Sequence, residues 1–318
     1  MAAVNPPPSS LAPSGAPIPP PPGELDTDAR AFVAEAVAYL EQPGYLMRAA
    51  NVVGKPAESL LAALPDRGRR LVAKAVQKAM EAGLNVAITS LGKDASAKKD
   101  GAASRQEGHL HTVATAATGF AGGFFGMAGL PVELPATTAI MLRSIAAIAR
   151  DNGADLSDPA VRLECLAVLA LGGKAPGPID ADLEGEGHDE IRAMDSAYYT
   201  ARVGLALALR SATTFVAGRA AGEVAEAVAR GSAPALVRLV SLIAARFNVV
   251  VSEKAMAQAL PLLGAATGAA LNAAFTDHFN RVARLHFGLK RLERQYGGTR
   301  VRLLYGKLLT QQRTKGLK

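Results

Sequence analysis

Glu133 is the residue whose setting most demands a chemical explanation. It stands between Pro131 and Pro135, directly after an uncharged run from Thr112 to Val132. A carboxylate in the most apolar part of a chain needs a buried partner, and two histidines are candidates. Set at 100° per residue, Phe275, His278, Phe279, Val282, Leu285, His286 and Leu289 fall on one arc, with Asp277, Asn280, Arg281, Arg284 and Arg291 opposite. Both imidazoles therefore belong to an apolar face and must be satisfied there. Eight residues of helix separate them by about 12 Å, whereas one metal ion holds its nitrogen ligands at about 2.0–2.1 Å. They cannot share a zinc ion. The pattern predicts instead a buried pair of Glu133 with His278 or His286, assisted by Asn272, able to work as general acid and base. Arg143 is a further candidate partner for Glu133. The competing expectation is a polar network that fixes helix register in an alanine-rich core. No nucleophile or metal set accompanies the pair, which favours the network.

Other chemistry-bearing motifs fall short. Asp180-x-Asp182-x-Glu184-Gly185 opens like a calcium loop, but its twelfth position is Ile191, where such loops place a bidentate glutamate. A solvated acidic loop is expected there. Cys165, the single cysteine, lies inside a helical pattern and reads as a small core residue in a reducing compartment. Ser252-Glu253-Lys254 lacks the offset of an SxxK motif and is discounted. HExxH, GxSxG and GxGxxG do not occur, and Gly172-Gly173-Lys174 lacks Walker spacing. No cofactor and no metal are expected.

Gly119–Arg143 carries five glycines and the Pro-Val-Glu-Leu-Pro elbow. Gly119/Gly123, Gly122/Gly126 and Gly264/Gly268 are small-xxx-small pairs, which let helices approach closely. Thr112–Val132 is long enough to cross a bilayer, but its few large apolar residues favour packing within a soluble bundle. Ala, Leu and Val dominate a chain without tryptophan, which favours helix over strand. The fold class predicted is all-α, one multi-helix bundle with glycine-rich, tightly packed apolar helices.

Residues 1–27, with nine prolines before Gly23, are expected to be disordered. They lack the cationic and apolar regions of a secretory signal. Helical patterns follow from Asp28 to Leu40, with Asp26 or Thr27 as N-cap, and around Tyr45–Val53 and Pro65–Leu91. Lys93–Gly108 reads as a polar loop. A helix from Pro135 to Asn152 closes on Gly153, and Asp158-Pro159 opens one that ends at Gly172-Gly173 as a left-handed cap. Long stretches at Met194–Arg230 and Pro234–Leu260 precede a last helix, Asn272–Tyr296. The helical domain is thus placed at 28–298 and a basic tail at 299–318. From Thr276 to Lys318 there are eleven Lys/Arg against two acids, so this end holds the whole excess of a chain of net charge +7. Arg300, Arg302, Lys307, Arg313, Lys315 and Lys318 are the residues expected to meet an anionic surface, with a solvated helix face as the simpler alternative.

Two long runs add a resemblance. GLPVELPATTAIMLRSIAAIARDNGADLSDPAVRLECLAVLALGG and SEKAMAQALPLLGAATGAALNAAFTDHFNRVARLHFGLKRLER resemble the central and C-terminal signatures of the EcsC protein family, over about residues 30–297. That resemblance implies a bacterial helical protein whose founding relative is encoded beside the subunits of an ABC transporter. It implies no defined reaction. The leading expectation is a cytoplasmic, peripherally membrane-associated accessory protein that assists or regulates a transport or secretion complex at the inner membrane face. The alternative is a hydrolase-type enzyme built on Glu133 with His278 or His286. Nucleic acid ranks last among partners, since the basic end lacks interleaved aromatics beyond Tyr305.

Overall fold

The computed structural model describes residues 25–41, 65–91, 126–172, 195–259 and 265–316. Among them there are nine α-helices and no strand: α1 (Thr27–Leu40), α2 (Asp66–Asn85), α3 (Leu130–Asp151), α4 (Pro159–Leu171), α5 (Ala197–Val216), α6 (Ala221–Ala229), α7 (Pro234–Ala259), α8 (Ala265–Tyr296) and α9 (Gly298–Gly316). A π-helical turn, Val86–Ser90, extends α2, and a 3₁₀ turn, Gly126–Gly129, leads into α3. The all-α expectation holds, and the helices pack around one apolar core.

At the centre lies α4. Cys165 to Leu171 are buried without interruption, as a helix that is apolar all round must be. Helices α3, α5, α7 and α8 surround it. Its start agrees with the sequence: Asp158 Oδ1 accepts from the Ala160 N–H at 2.8 Å, with Pro159 in the first turn. At its end Gly172 keeps an ordinary φ of −83°, and Gly173, the other residue of the expected left-handed cap, lies outside the described residues. What requires glycine here is space. A Cβ on Gly172 would lie 2.6 Å from the Phe279 ring and 2.8 Å from His278 Nε2. Likewise Gly288 of α8 faces Phe32 of α1, whose ring would sit 2.2 Å from an added Cβ. These two glycines give the bundle its close packing. The side chains and packing of Gly119, Gly122, Gly123, Gly126, Gly264 and Gly268 lie outside the described residues, as do 1–24, Tyr45–Val53, Lys93–Gly108 and Asp180–Ile191.

Four boundaries differ from expectation, the simplest being the start of α8, at Ala265 and not Asn272. Helix α3 begins at Leu130, not Pro135. Pro131 is the first-turn proline, and the missing N–H of Pro135 forgoes only a bond to the first turn. The stretch 194–230 is two helices, parted at Gly218, whose φ of +76° is left-handed. The largest correction concerns 299–318. The segment taken for a tail is mostly α9, turned back at Gly297 and seated on α1 and α8 by buried Val301, Tyr305 and Leu309. The 3–4 spacing of those residues is a helical stripe, so the basic end belongs to the core.

Candidate functional site

Glu133 is buried as expected, but its partner is a lysine. Lys254 Nζ of α7 donates to Glu133 Oε1 at 2.6 Å and to Asn272 Oδ1 of α8 at 2.6 Å. Both charged side chains are almost fully enclosed, at 1% and 2% exposure. Asn272 Nδ2 reaches Thr137 Oγ1 at 3.4 Å, and Lys254 lies 4.8 Å from the Phe275 ring centroid. One contact thus joins α3, α7 and α8. Burial holds the Lys254 ammonium below the usual lysine range, against the pull of the Glu133 carboxylate beside it. Glu133 Oε2 is buried without a hydrogen-bond partner. A charge pair this enclosed locks three helices in register more readily than it meets a substrate.

The pairing of Glu133 with His278 or His286 is therefore corrected. Both imidazoles do lie in the apolar face of α8, but each is held elsewhere. His278 Nε2 faces the Gly172 carbonyl at 2.7 Å, which can only accept, so that nitrogen carries the proton and Nδ1 takes the Tyr39 hydroxyl at 2.9 Å. His286 Nε2 donates to Glu164 Oε1 at 3.1 Å and Nδ1 accepts from the Tyr198 hydroxyl at 2.9 Å. Lys290 also holds Glu164, at 2.6 Å. Arg143, the other candidate partner for Glu133, is exposed on α3. Asn272, expected beside a Glu133–histidine pair, accepts from Lys254 instead. Cys165 is fully buried, and burial pushes its thiol up, away from nucleophilic use. Among the described residues no three His, Cys, Asp or Glu side chains gather as a metal site would require.

The histidine network carries a pH dependence. Burial lowers His286 below its ordinary 6.5. Burial alone would raise Glu164, but the hydrogen bond and charge of His286 and the charge of Lys290 outweigh it and hold the carboxyl at about 2. In both cases the unfolded chain binds protons that the native state does not, so stability falls as the pH is lowered. The loss begins below about 6.5 through His286 and deepens below about 4.5 through Glu164. Urea midpoints at pH 7.0 and 5.5 should show the first decline, and His286→Asn should flatten it. A slope unchanged by that substitution would assign the decline to other groups.

Lys254 is the functional residue that the serine-centred reading of Ser252-Glu253-Lys254 does not reveal. The signal was present: Phe247, Val250, Val251 and Lys254 occupy i, i+3, i+4 and i+7 of α7, all buried. The arc test that placed the histidines inside also places this lysine inside.

At the basic end, Arg300, Lys307, Arg313 and Lys315 are exposed and Arg302 is half-buried, while Lys318 lies outside the described residues. Arg302 donates to Thr299 at 3.3 Å. Arg313 is tied to Asp195, through its carboxylate at 2.9 Å and its carbonyl at 2.8 Å. Arg300, Leu303 and Lys307 share the outer face of α9, with Leu303 64% exposed. Among the described residues two helices, Leu130–Asp151 and Pro234–Ala255, are long and apolar enough to cross a membrane, yet both contribute to the core.

The model of the EcsC protein family matches residues 41–292. No curated protein and no solved structure matches the chain.

Proposed function

We propose, from the premise that this chain belongs to the EcsC protein family, that it is a peripheral membrane protein assisting or regulating a transport or secretion system. It acts from the inner face of the membrane and attaches to anionic lipid through the outer side of α9. The observation that carries this reading is the state of the C-terminal end. Val301, Tyr305 and Leu309 fix one side of α9 to the bundle, which leaves Arg300, exposed Leu303 and Lys307 facing outward. An apolar side chain flanked by cations on a rigid helix suits an anionic headgroup layer. Arg284 and Arg291 of α8 are exposed as well. The transport or secretion role is the part that family membership suggests.

The test is flotation of the whole protein with neutral and with anionic liposomes, at low and high salt. The proposal predicts flotation with anionic vesicles only, lost as salt shortens the Debye length. Flotation that survives salt would assign attachment to apolar insertion instead. No flotation under any condition would overturn the membrane reading.

A further inference from the structure

Along the outside of α2, Arg67, Arg70, Lys74 and Lys78 follow one another at spacings of three and four, which sets all four cations on one arc of the helix. All are exposed. Neighbouring Arg69 is paired with Asp66. The four in the stripe have no hydrogen-bond or ion-pair partner among the described residues. Like charges at this spacing destabilise a helix, so a line of them over about 16 Å gains from a matching line of anions.

The stripe borders a groove of about 760 Å³ formed by α2, its π-helical turn, α6 and α7. Val76, Met80 and Leu84 line it from α2, and Leu236, Val237 and Val240 from α7. Lys74 and Lys78 each follow a lining residue, Ala73 and Gln77, so they stand on the rim, and Arg67 and Arg70 carry the line past its end. Arg238, exposed and next to Val237, adds a cation on the α7 side. The apolar surface between is uncovered. Val237 is 51% exposed, and the most apolar stretch of α7 is only 39% buried.

We infer that the groove receives an amphipathic helix of a partner protein, apolar side inward, with a row of carboxylates against the α2 stripe. The length suits a helix: Leu236 to Asn248 of the α7 wall spans about 18 Å, which is about twelve residues. Carboxylates three and four residues apart on the incoming helix repeat at the spacing of the cations. The line of charge also separates a helix from a lipid. An anionic lipid carries its charge at one end and calls for cations gathered at one mouth, whereas these run along the wall. Glu81, in the lining and holding the Gln77 amide at 3.1 Å, sets direction: the carboxylates of the partner lie toward Arg67 and away from Glu81. This site is separate from α9 and acts independently of the lipid attachment proposed above.

The probe is a displayed library of helical peptides of about sixteen residues, selected on the immobilised full chain. Leucines occupy i, i+3, i+4 and i+7 throughout, and every flanking position is Glu, Gln or Lys. The expected result is enrichment of Glu along one flank, and saturable binding of an enriched peptide in solution by fluorescence anisotropy. Lys74→Glu with Lys78→Glu should weaken that peptide at least roughly tenfold, because attraction becomes repulsion. Val237→Gln removes apolar surface from the α7 side without adding charge, and should weaken it at least roughly threefold. Thermal melts establish that these variants are folded. Arg300→Glu with Lys307→Glu, on α9, should leave peptide binding unchanged. No enriched peptide, enrichment of Gln or Lys, full affinity in either folded groove variant, or loss of binding in the α9 variant would overturn the inference. Loss of flotation on anionic liposomes by the Lys74/Lys78 variant, with no peptide enriched, would assign the stripe to lipid instead.

Discussion

Replacing Lys254 by methionine should destabilise the protein by about 3–5 kcal/mol, the usual cost of breaking a buried ion pair from one side. Methionine fills a similar volume and suits an apolar stripe, so packing is not the issue. The cost arises because Glu133 is left enclosed, with no ammonium on Oε1 and none of its own on Oε2. Asn272 also loses its donor. The double variant Glu133→Leu with Lys254→Met should recover most of the loss, since a buried pair exchanged for apolar groups is often neutral or stabilising. Guanidinium midpoints of the two single variants and the double variant measure the coupling. A single-variant loss below about 1 kcal/mol would mean that the pair is solvated rather than enclosed.

The second large effect is at Glu41, whose side chain ties the start of α5 and the middle of α9 to the end of α1. Its carboxylate accepts from Ser196 Oγ at 2.5 Å, from the Ala197 N–H at 2.9 Å and from the Tyr305 hydroxyl at 2.9 Å. Ser196 is itself the N-cap of α5, accepting from the Tyr199 N–H. Glu41→Ala should therefore strand a fully buried tyrosine hydroxyl and weaken a helix cap together. A loss of at least about 2 kcal/mol is expected from hydrogen bonds to a charged group. The loss should be local first. Hydrogen exchange over residues 298–316 should accelerate before that of α4, because α9 is held by one stripe while α4 is enclosed on all sides. Unchanged protection across α9 would show that Val301, Tyr305 and Leu309 suffice without the carboxylate.

Much of the architecture was written locally. Asp158-Pro159 signs the start of α4 because an acidic N-cap and a first-turn proline act within three residues. The inward placement of His278 and His286 followed from helical period alone. Buried Glu133 followed from its apolar surroundings. What sequence could not show is which buried polar groups meet. Glu133, Lys254 and Asn272 are separated by more than a hundred residues on one side and eighteen on the other. Their meeting is a product of how three helices cross. The same limit hid Tyr39 and Tyr198 as histidine partners and Glu41 as the anchor of α9. The basic end misled for another reason. Its charge density reads as a tail, yet the sparse stripe Val301, Tyr305, Leu309 is enough to dock a helix when a complementary face is waiting.

The outward face of α9 carries the proposed attachment to lipid. Arg300→Glu with Lys307→Glu changes two solvated side chains that the core does not use, so folding should be preserved and a thermal melt will establish it. Each cation near an anionic surface contributes about 1 kcal/mol, so vesicle affinity at low salt should fall by at least roughly thirtyfold. Flotation of this variant beside the wild-type protein, on the same anionic liposomes, is the measurement to make. A folded variant that stays at the bottom of the gradient while the wild type rises is the predicted result. A folded variant that floats as well as the wild type would contradict attachment through α9.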